Sequence, residues 1–321
     1  MTFPLEGHRL GFGAAPLGNL YRRVGNAEAE ATLAAALSGG IGYVDTAPHY
    51  GQGLSERRLG AYGGAPVLSS KVGRVLRPIA PPPPGTERHG FIDGDPYEPV
   101  FDYTRDGVLR SFESSQKRLR RERIDILLAH DLGAVTHGEA HPRHLRDFLN
   151  GGYGAMRELK AAGAVSAIGL GVNEWRIAEE VLGHADLDVV MLAGRYTLLE
   201  QTALDSFLPL CERRGVRVIA AGPFNSGILS GGDAYDYAPA PDAVRRRAAA
   251  LAKVCAAHGA PLAAAALQFP LAHPAVVTVV AGMASADEAR ANVGLMDHAI
   301  PAALWADLKA GGLLRADAPT P

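Results

Sequence analysis

Two cysteines in 321 residues, Cys211 and Cys255, are too few for a disulfide framework, and their scarcity fits a reducing cytoplasm. No apolar run approaches the ~18 residues that a membrane-spanning helix needs. Residues Met1 to Gly18 lack the basic segment, apolar core and small-residue cleavage site of a secretory signal. The expectation is a cytoplasmic protein with no membrane partner. Neither sign of charge dominates: 32 basic residues stand against 34 acidic ones, a net charge of −2. Nothing in that balance collects the phosphates of a nucleic acid. What is present is the 47% hydrophobic content of a globular protein.

Short β-rich runs alternate with longer helical ones. Strands are expected at 10–15, 41–44, 67–71, 124–129, 165–172, 188–192, 216–221 and 276–281. Between them, helices are expected at 27–37 with Asn26 as N-cap, at 55–59, from Thr104 through Val108, Leu109, Phe112 and Leu119, and at 153–162, 175–182, 203–213, 243–257 and 262–268. Two more follow at 287–295 and 302–308. Strands separated by helices pair in parallel through right-handed crossovers, so eight such units predict an α/β fold closed into a (β/α)8 TIM barrel. The units fill residues 1–321 and leave one domain with a single long interruption, 73–103. That segment carries Pro81-Pro82-Pro83-Pro84, which stiffens the chain, and it follows strand three, on the rim where barrels build their sites.

Four residues fall at or just past the ends of three successive strands. Asp45 follows Val44, Tyr50 lies five residues on, Lys71 closes Leu68-Ser69-Ser70-Lys71, and His130 closes Leu127-Leu128-Ala129-His130. A barrel brings all four to one rim. A phenol is a poor proton acceptor at neutral pH, but a neighbouring ammonium favours its phenolate, a carboxylate orients the lysine, and a histidine hydrogen-bonds the reacting oxygen. Such a set suits proton transfer at an alcohol or carbonyl oxygen while hydride moves at carbon.

The segment Val44-Asp45-Thr46-Ala47-Pro48-His49-Tyr50-Gly51, followed by Ser55-Glu56 and Leu59-Gly60, resembles the signature of the aldo-keto reductase superfamily, and the likeness runs from Leu10 to Asn292. The resemblance implies a barrel using a nicotinamide dinucleotide, with Tyr50 as acid/base and Asp45, Lys71 and His130 completing the tetrad. It also implies cofactor contacts at Asn173, Tyr196, Gly222, Pro223, Phe224, Gly227, Gly282, Asp287, Glu288 and Asn292. Ala221 stands where many members place an aromatic ring against the nicotinamide, and Val172 replaces a common serine. Members that take the 2′-phosphate carry basic residues after strand eight, whereas 282–289 holds none and has two acids, Asp287 and Glu288. A carboxylate repels a phosphate and accepts from a free ribose hydroxyl, so NAD is favoured over NADP, with Arg290 nearby.

The stretches Tyr196-Thr197-Leu198-Leu199-Glu200-Gln201 and Gly222 to Leu229 most resemble aldose 1-dehydrogenases acting on L-fucose, D-threo-aldoses or L-galactose, beside a branch that oxidises pyridoxal. The small-molecule substrate is therefore expected to be a sugar or aldehyde, with His49, Trp175, Arg195 and the 74–103 segment as its contacts. An NADPH-dependent carbonyl reductase and a catalytically weak nucleotide-sensing subunit are the alternatives. No metal is expected: His137, His141 and His144 read as a solvated loop, without carboxylates or thiols to complete a site. The cluster Lys117-Arg118-Leu119-Arg120-Arg121 reads as the exposed end of a helix.

Overall fold

The computed structural model describes residues 3–64 and 66–321. Its centre is a closed barrel of eight parallel strands: β1 (Leu10–Gly13), β2 (Tyr43–Asp45), β3 (Val67–Val72), β4 (Ile126–His130), β5 (Ala167–Val172), β6 (Val189–Ala193), β7 (Arg217–Ala221) and β8 (Val276–Gly282), with β8 returning to β1. The helices between them are α1 (Asn26–Ser38), α2 (Leu54–Tyr62), α3 (Arg105–Leu119), α4 (Tyr153–Ala161), α5 (Trp175–Leu182), α6 (Phe207–Arg214), α7 (Asp242–Ala257), α8 (Leu262–Gln268), α9 (Ala286–Met296) and α10 (Ala302–Ala310). Among the described residues, no single helix is long and apolar enough to cross a membrane.

Alternation along the strands sorts the core into two layers. Ile126, Leu128, Val189 and Met191 meet Leu5, Tyr43 and Ile219 inside the barrel. Leu127, Ala129, Val190 and Leu192 face outward and pack under the helices. Thr104 caps α3 by accepting from Gly107 N, and Val108, Phe112, Ser115 and Leu119 give that helix its buried face. At α1 the expected cap moves by one residue: Gly25 is the N-cap and Asn26 is the first helical position. The predicted 203–213 helix opens as a tight turn over Thr202–Leu204, and α6 proper starts at Phe207.

The 73–103 segment is not an irregular loop. Arg74–Pro78 pairs antiparallel with Tyr97–Phe101, and a smaller hairpin, Glu87–Arg88 with Phe91–Ile92, forms its tip. Prolines 81 to 84 lie between these strands, where no ladder bond is lost. The tip folds back against the β1 rim through a bridge from Leu20 to Phe91, and Tyr21 N–H donates to Gly90 O at 3.2 Å. One wall over the barrel mouth is thereby built.

Candidate active site

β2, β3 and β4 end in register on one rim: Asp45 lies opposite Ser69, and Lys71 opposite Leu128 two residues before His130. Lys71 Nζ donates to both Asp45 oxygens at 2.9 and 2.7 Å, to Thr46 O at 2.9 Å and to Tyr50 Oη at 3.0 Å. Because the ammonium donates into Tyr50 Oη, the phenolic proton is left to point at a ligand. Ser69 Oγ also donates to Asp45, at 2.6 Å, and lies 2.8 Å from Tyr43 Oη, so the carboxylate is braced from within the barrel. Gly171 leaves room for this lysine, since a Cβ there would stand 3.2 Å from Lys71 Cε. Tyr50 is held by a close backbone crossing: a Cβ on Gly51, whose φ is +63°, would lie 2.4 Å from Gly18 O. The ring of His130 sits edge-on to Tyr50, centroids 5.9 Å apart.

Electrostatically, the site differs from the sequence expectation in one respect. Burial, then the charges of Asp45 and Asp131, push the Tyr50 phenol well above its ordinary range, and Arg74 opposes them only partly. Burial and the cations Arg74 and Lys71 hold His130 well below the usual imidazole range, which keeps it neutral. His49 is pushed down to about 2 by burial, with Arg74 and His130 adding to the shift.

A cavity of about 680 Å³ opens above these groups. Asp45, Tyr50, Lys71, His130, Asn173, Gly222 and Gly282 all line it, as do His49 and Arg195. Several expected contacts lie elsewhere. Trp175, the first residue of α5, donates its indole N–H to Thr202 Oγ1 at 3.2 Å and is not part of the wall. Tyr196 is buried against Phe269 and His273 in the outer core. Pro223, Phe224 and Gly227 continue the rim beyond the wall, and Asn292 is buried within α9. Glu288 accepts from Ala284 N at 2.7 Å while Ser285 Oγ accepts from Glu288 N, a capping arrangement, and Asp287 pairs with Arg290. A base missing from 282–289 is supplied from another loop: Arg22 donates to Ala284 O at 2.8 Å, and Glu28 pairs with it.

Asp131 and Asn225 escaped the sequence reading, and Arg74 entered it only within the 74–103 segment. Asp131 and Arg74 form an ion pair beside His130 and His49, and Asn225 lies across the cavity with Nδ2 donating to Gly194 O and Oδ1 buried without a partner. The adjacency His130-Asp131 and the placement of Arg74 two residues into the insertion were the available signals. His137 and His144 are not on a solvated loop: their ring centroids lie 4.2 Å apart, tilted by 38°, beside Phe101, and His137 Nε2 lies 3.0 Å from Tyr103 Oη. Arg118 is likewise no exposed helix end, for it pairs with the fully buried Glu56 at 2.7 Å.

The half of the cavity near β5 to β8 suits a flat, elongated ligand. Its floor is small, with Gly171, Ala193, Gly194, Ala221 and Gly222, and the orphaned Asn225 Oδ1 and the Asn173 amide offer polar partners. These residues fit a nicotinamide nucleotide.

Comparisons agree with this geometry. Residues 9–311 match the Aldo/keto reductase family model. The chain is 44% identical over 321 residues to the pyridoxal 4-dehydrogenase of Microbacterium luteolum, covering 95% of this chain and 94% of that one. It is 40% identical over 324 residues to the D-threo-aldose 1-dehydrogenase of a Pseudomonas species, covering 97% and 95%. Among solved structures, an aldo-keto reductase from Bacillus halodurans in its holo form superposes with a TM-score of 0.73 at 25% identity, covering 96% of this chain and 92% of that one.

Proposed function

Because this chain belongs to the aldo/keto reductase family, oxidoreductases that use nicotinamide cofactors, we propose that it oxidises the C1 hydroxyl of a cyclic aldose of the L-fucose, D-threo-aldose or L-galactose class to the lactone with NAD. The observation that carries the reading is the Tyr50 hydroxyl held by Lys71 on the floor of a cavity with room for a second, ring-shaped molecule. Phe91, Tyr21 and Tyr237 supply aromatic surface for the apolar face of such a ring, and His49, Asp131 and Arg195 supply polar edges.

Bound NAD supplies the hydride acceptor. Asn173, Gly222, Asn225 and Gly282 are the residues that would hold it. Tyr50 Oη takes the hydroxyl proton in oxidation and returns it in reduction, while neutral His130 hydrogen-bonds the same oxygen. Asp45 holds Lys71 Nζ aimed at Tyr50 Oη. The preference for NAD rests on Asp287 and Glu288 in the first turn of α9, after β8, with Glu28 of α1 pairing the Arg22 that reaches Ala284.

A second reading is favoured by the 44% identity to a pyridoxal dehydrogenase. Pyridoxal carries a hydroxymethyl group beside its aldehyde and closes into a hemiacetal, so both substrates present the same ring carbon bearing hydrogen and hydroxyl. A panel of L-fucose, D-arabinose, L-galactose and pyridoxal with NAD and NADP tests the proposal. The expected result is hemiacetal oxidation with a higher kcat/KM for NAD; activity confined to NADPH-driven carbonyl reduction contradicts it.

A further inference from the structure

We propose that Asp131 is the carboxylate that receives the aldose hydroxyl nearest the reacting carbon, O2, and that Arg74 holds it in place. The inference rests on the hemiacetal reading above. Asp131 lines the cavity one residue past His130, with Oδ2 3.5 Å from His130 Nε2. A group bound there lies next to the oxygen that meets His130 and Tyr50.

The backbone is turned to make this possible. Asp131 N–H still donates to Gly171 O at 2.9 Å, as in a sheet, but its φ is +51°, a left-handed conformation that non-glycine residues avoid. Such conformations gather at functional sites, where surrounding contacts enforce them. Here the contacts are specific. Arg74 pairs with Oδ2, and the two side chains are only 12% and 11% exposed. The guanidinium lies over the Phe101 ring at 4.5 Å, and Asn173 Nδ2 reaches Oδ1 at 3.3 Å. A buried ion pair is a poor source of stability, since packed apolar side chains would serve the hairpin as well. Its use is explained by what is left over: a carboxylate has about four acceptor positions, Arg74 and Asn173 take two, and the residue still borders the cavity. Sugar hydroxyls are donors that ionised carboxylates bind through charge-assisted bonds.

The test compares kcat/KM for an aldose and its 2-deoxy analogue in the wild type, in Asp131→Asn and in Arg74→Gln/Asp131→Asn. The double variant removes both charges, so it avoids the unpaired buried arginine that destabilises the single one. Wild type should prefer the hydroxylated member by roughly tenfold to a hundredfold, and the preference should collapse to about threefold or less in both variants. Because a ratio is read, a uniform loss from disturbed packing cancels. A wild-type preference retained in both variants, or absent from the wild type, overturns the role of Asp131 while leaving hemiacetal oxidation standing. If aldoses are not turned over and pyridoxal is, the aldose reading and the role of Asp131 fall together. Turnover only of carbonyls without a neighbouring hydroxyl, or no turnover, overturns both.

Discussion

Tyr50 gathers the chemistry of the site onto one oxygen. Lys71 donates into it, and burial with the nearby carboxylates keeps it protonated far past neutrality. A protonated phenol serves reduction directly, whereas oxidation needs the phenolate. At saturating NAD, kcat/KM for oxidation should therefore climb with pH, by about tenfold per unit at the limit, across the neutral and mildly alkaline range. The reverse reaction should stay flat over the same range. Tyr50→Phe should abolish both while NAD binding, followed by fluorescence quenching, is retained; a flat oxidation profile or an active Phe variant contradicts the assignment. Asp45, Lys71 and His130 were legible in the sequence because they fall at strand ends, which converge in a barrel, and Tyr50 because it follows the first of these by five residues. The direction of the tyrosine's shift was not, since it depends on how deeply the fold buries the phenol and on Asp45 and Asp131 coming to lie beside it. Trp175 and Tyr196 were misplaced for a related reason: rim residues next to a site point either into it or back under the helices, and residue type does not say which.

At the scale of elements, the signature residues after Tyr50 prove to be joinery. Ser55 Oγ donates to Ala14 O at 2.8 Å and lies 2.9 Å from Thr46 Oγ1, tying α2 to the ends of β1 and β2. Glu56 accepts from Ser70 Oγ at 2.6 Å and from Arg118 Nε at 2.7 Å, locking α2 to β3 and α3. Gly60 permits the close approach of those helices, since a Cβ there would lie 2.1 Å from Arg118 O. Glu56→Ala should cost about 3–5 kcal/mol by leaving Arg118 and Ser70 without their buried partner. Glu113→Ala, on the exposed face of α3, should stay within about 0.5 kcal/mol of wild type. Urea denaturation of both measures the difference, and equal midpoints would contradict the bracing role. The strands themselves were readable because buried parallel strands are short, apolar and bounded by glycine or charge. The hairpin of 74–101 was not, because its prolines and charges mask the pairing of Val75 and Leu76 with Val100 and Pro99.

For the whole molecule, the barrel supplies convergence and the insertion supplies one wall of the cavity. Eight units were countable in the sequence, which settled the architecture. What counting could not show is that the hairpin tip returns to the β1 rim, so that Phe91, His89 and Tyr21 close one side of a cavity whose other side is Arg195, Asp236 and Tyr237. Nor could a scan of 282–289 show Arg22 arriving from a segment 262 residues away. The central claim is that hydride leaves the ring carbon bearing the anomeric hydroxyl while Tyr50 handles the proton. L-Fucose or pyridoxal carrying deuterium on that carbon, incubated with NAD and followed by mass spectrometry, tests it most directly. The account predicts a lactone without the label and reduced cofactor with it; deuterium retained in the product would contradict the account.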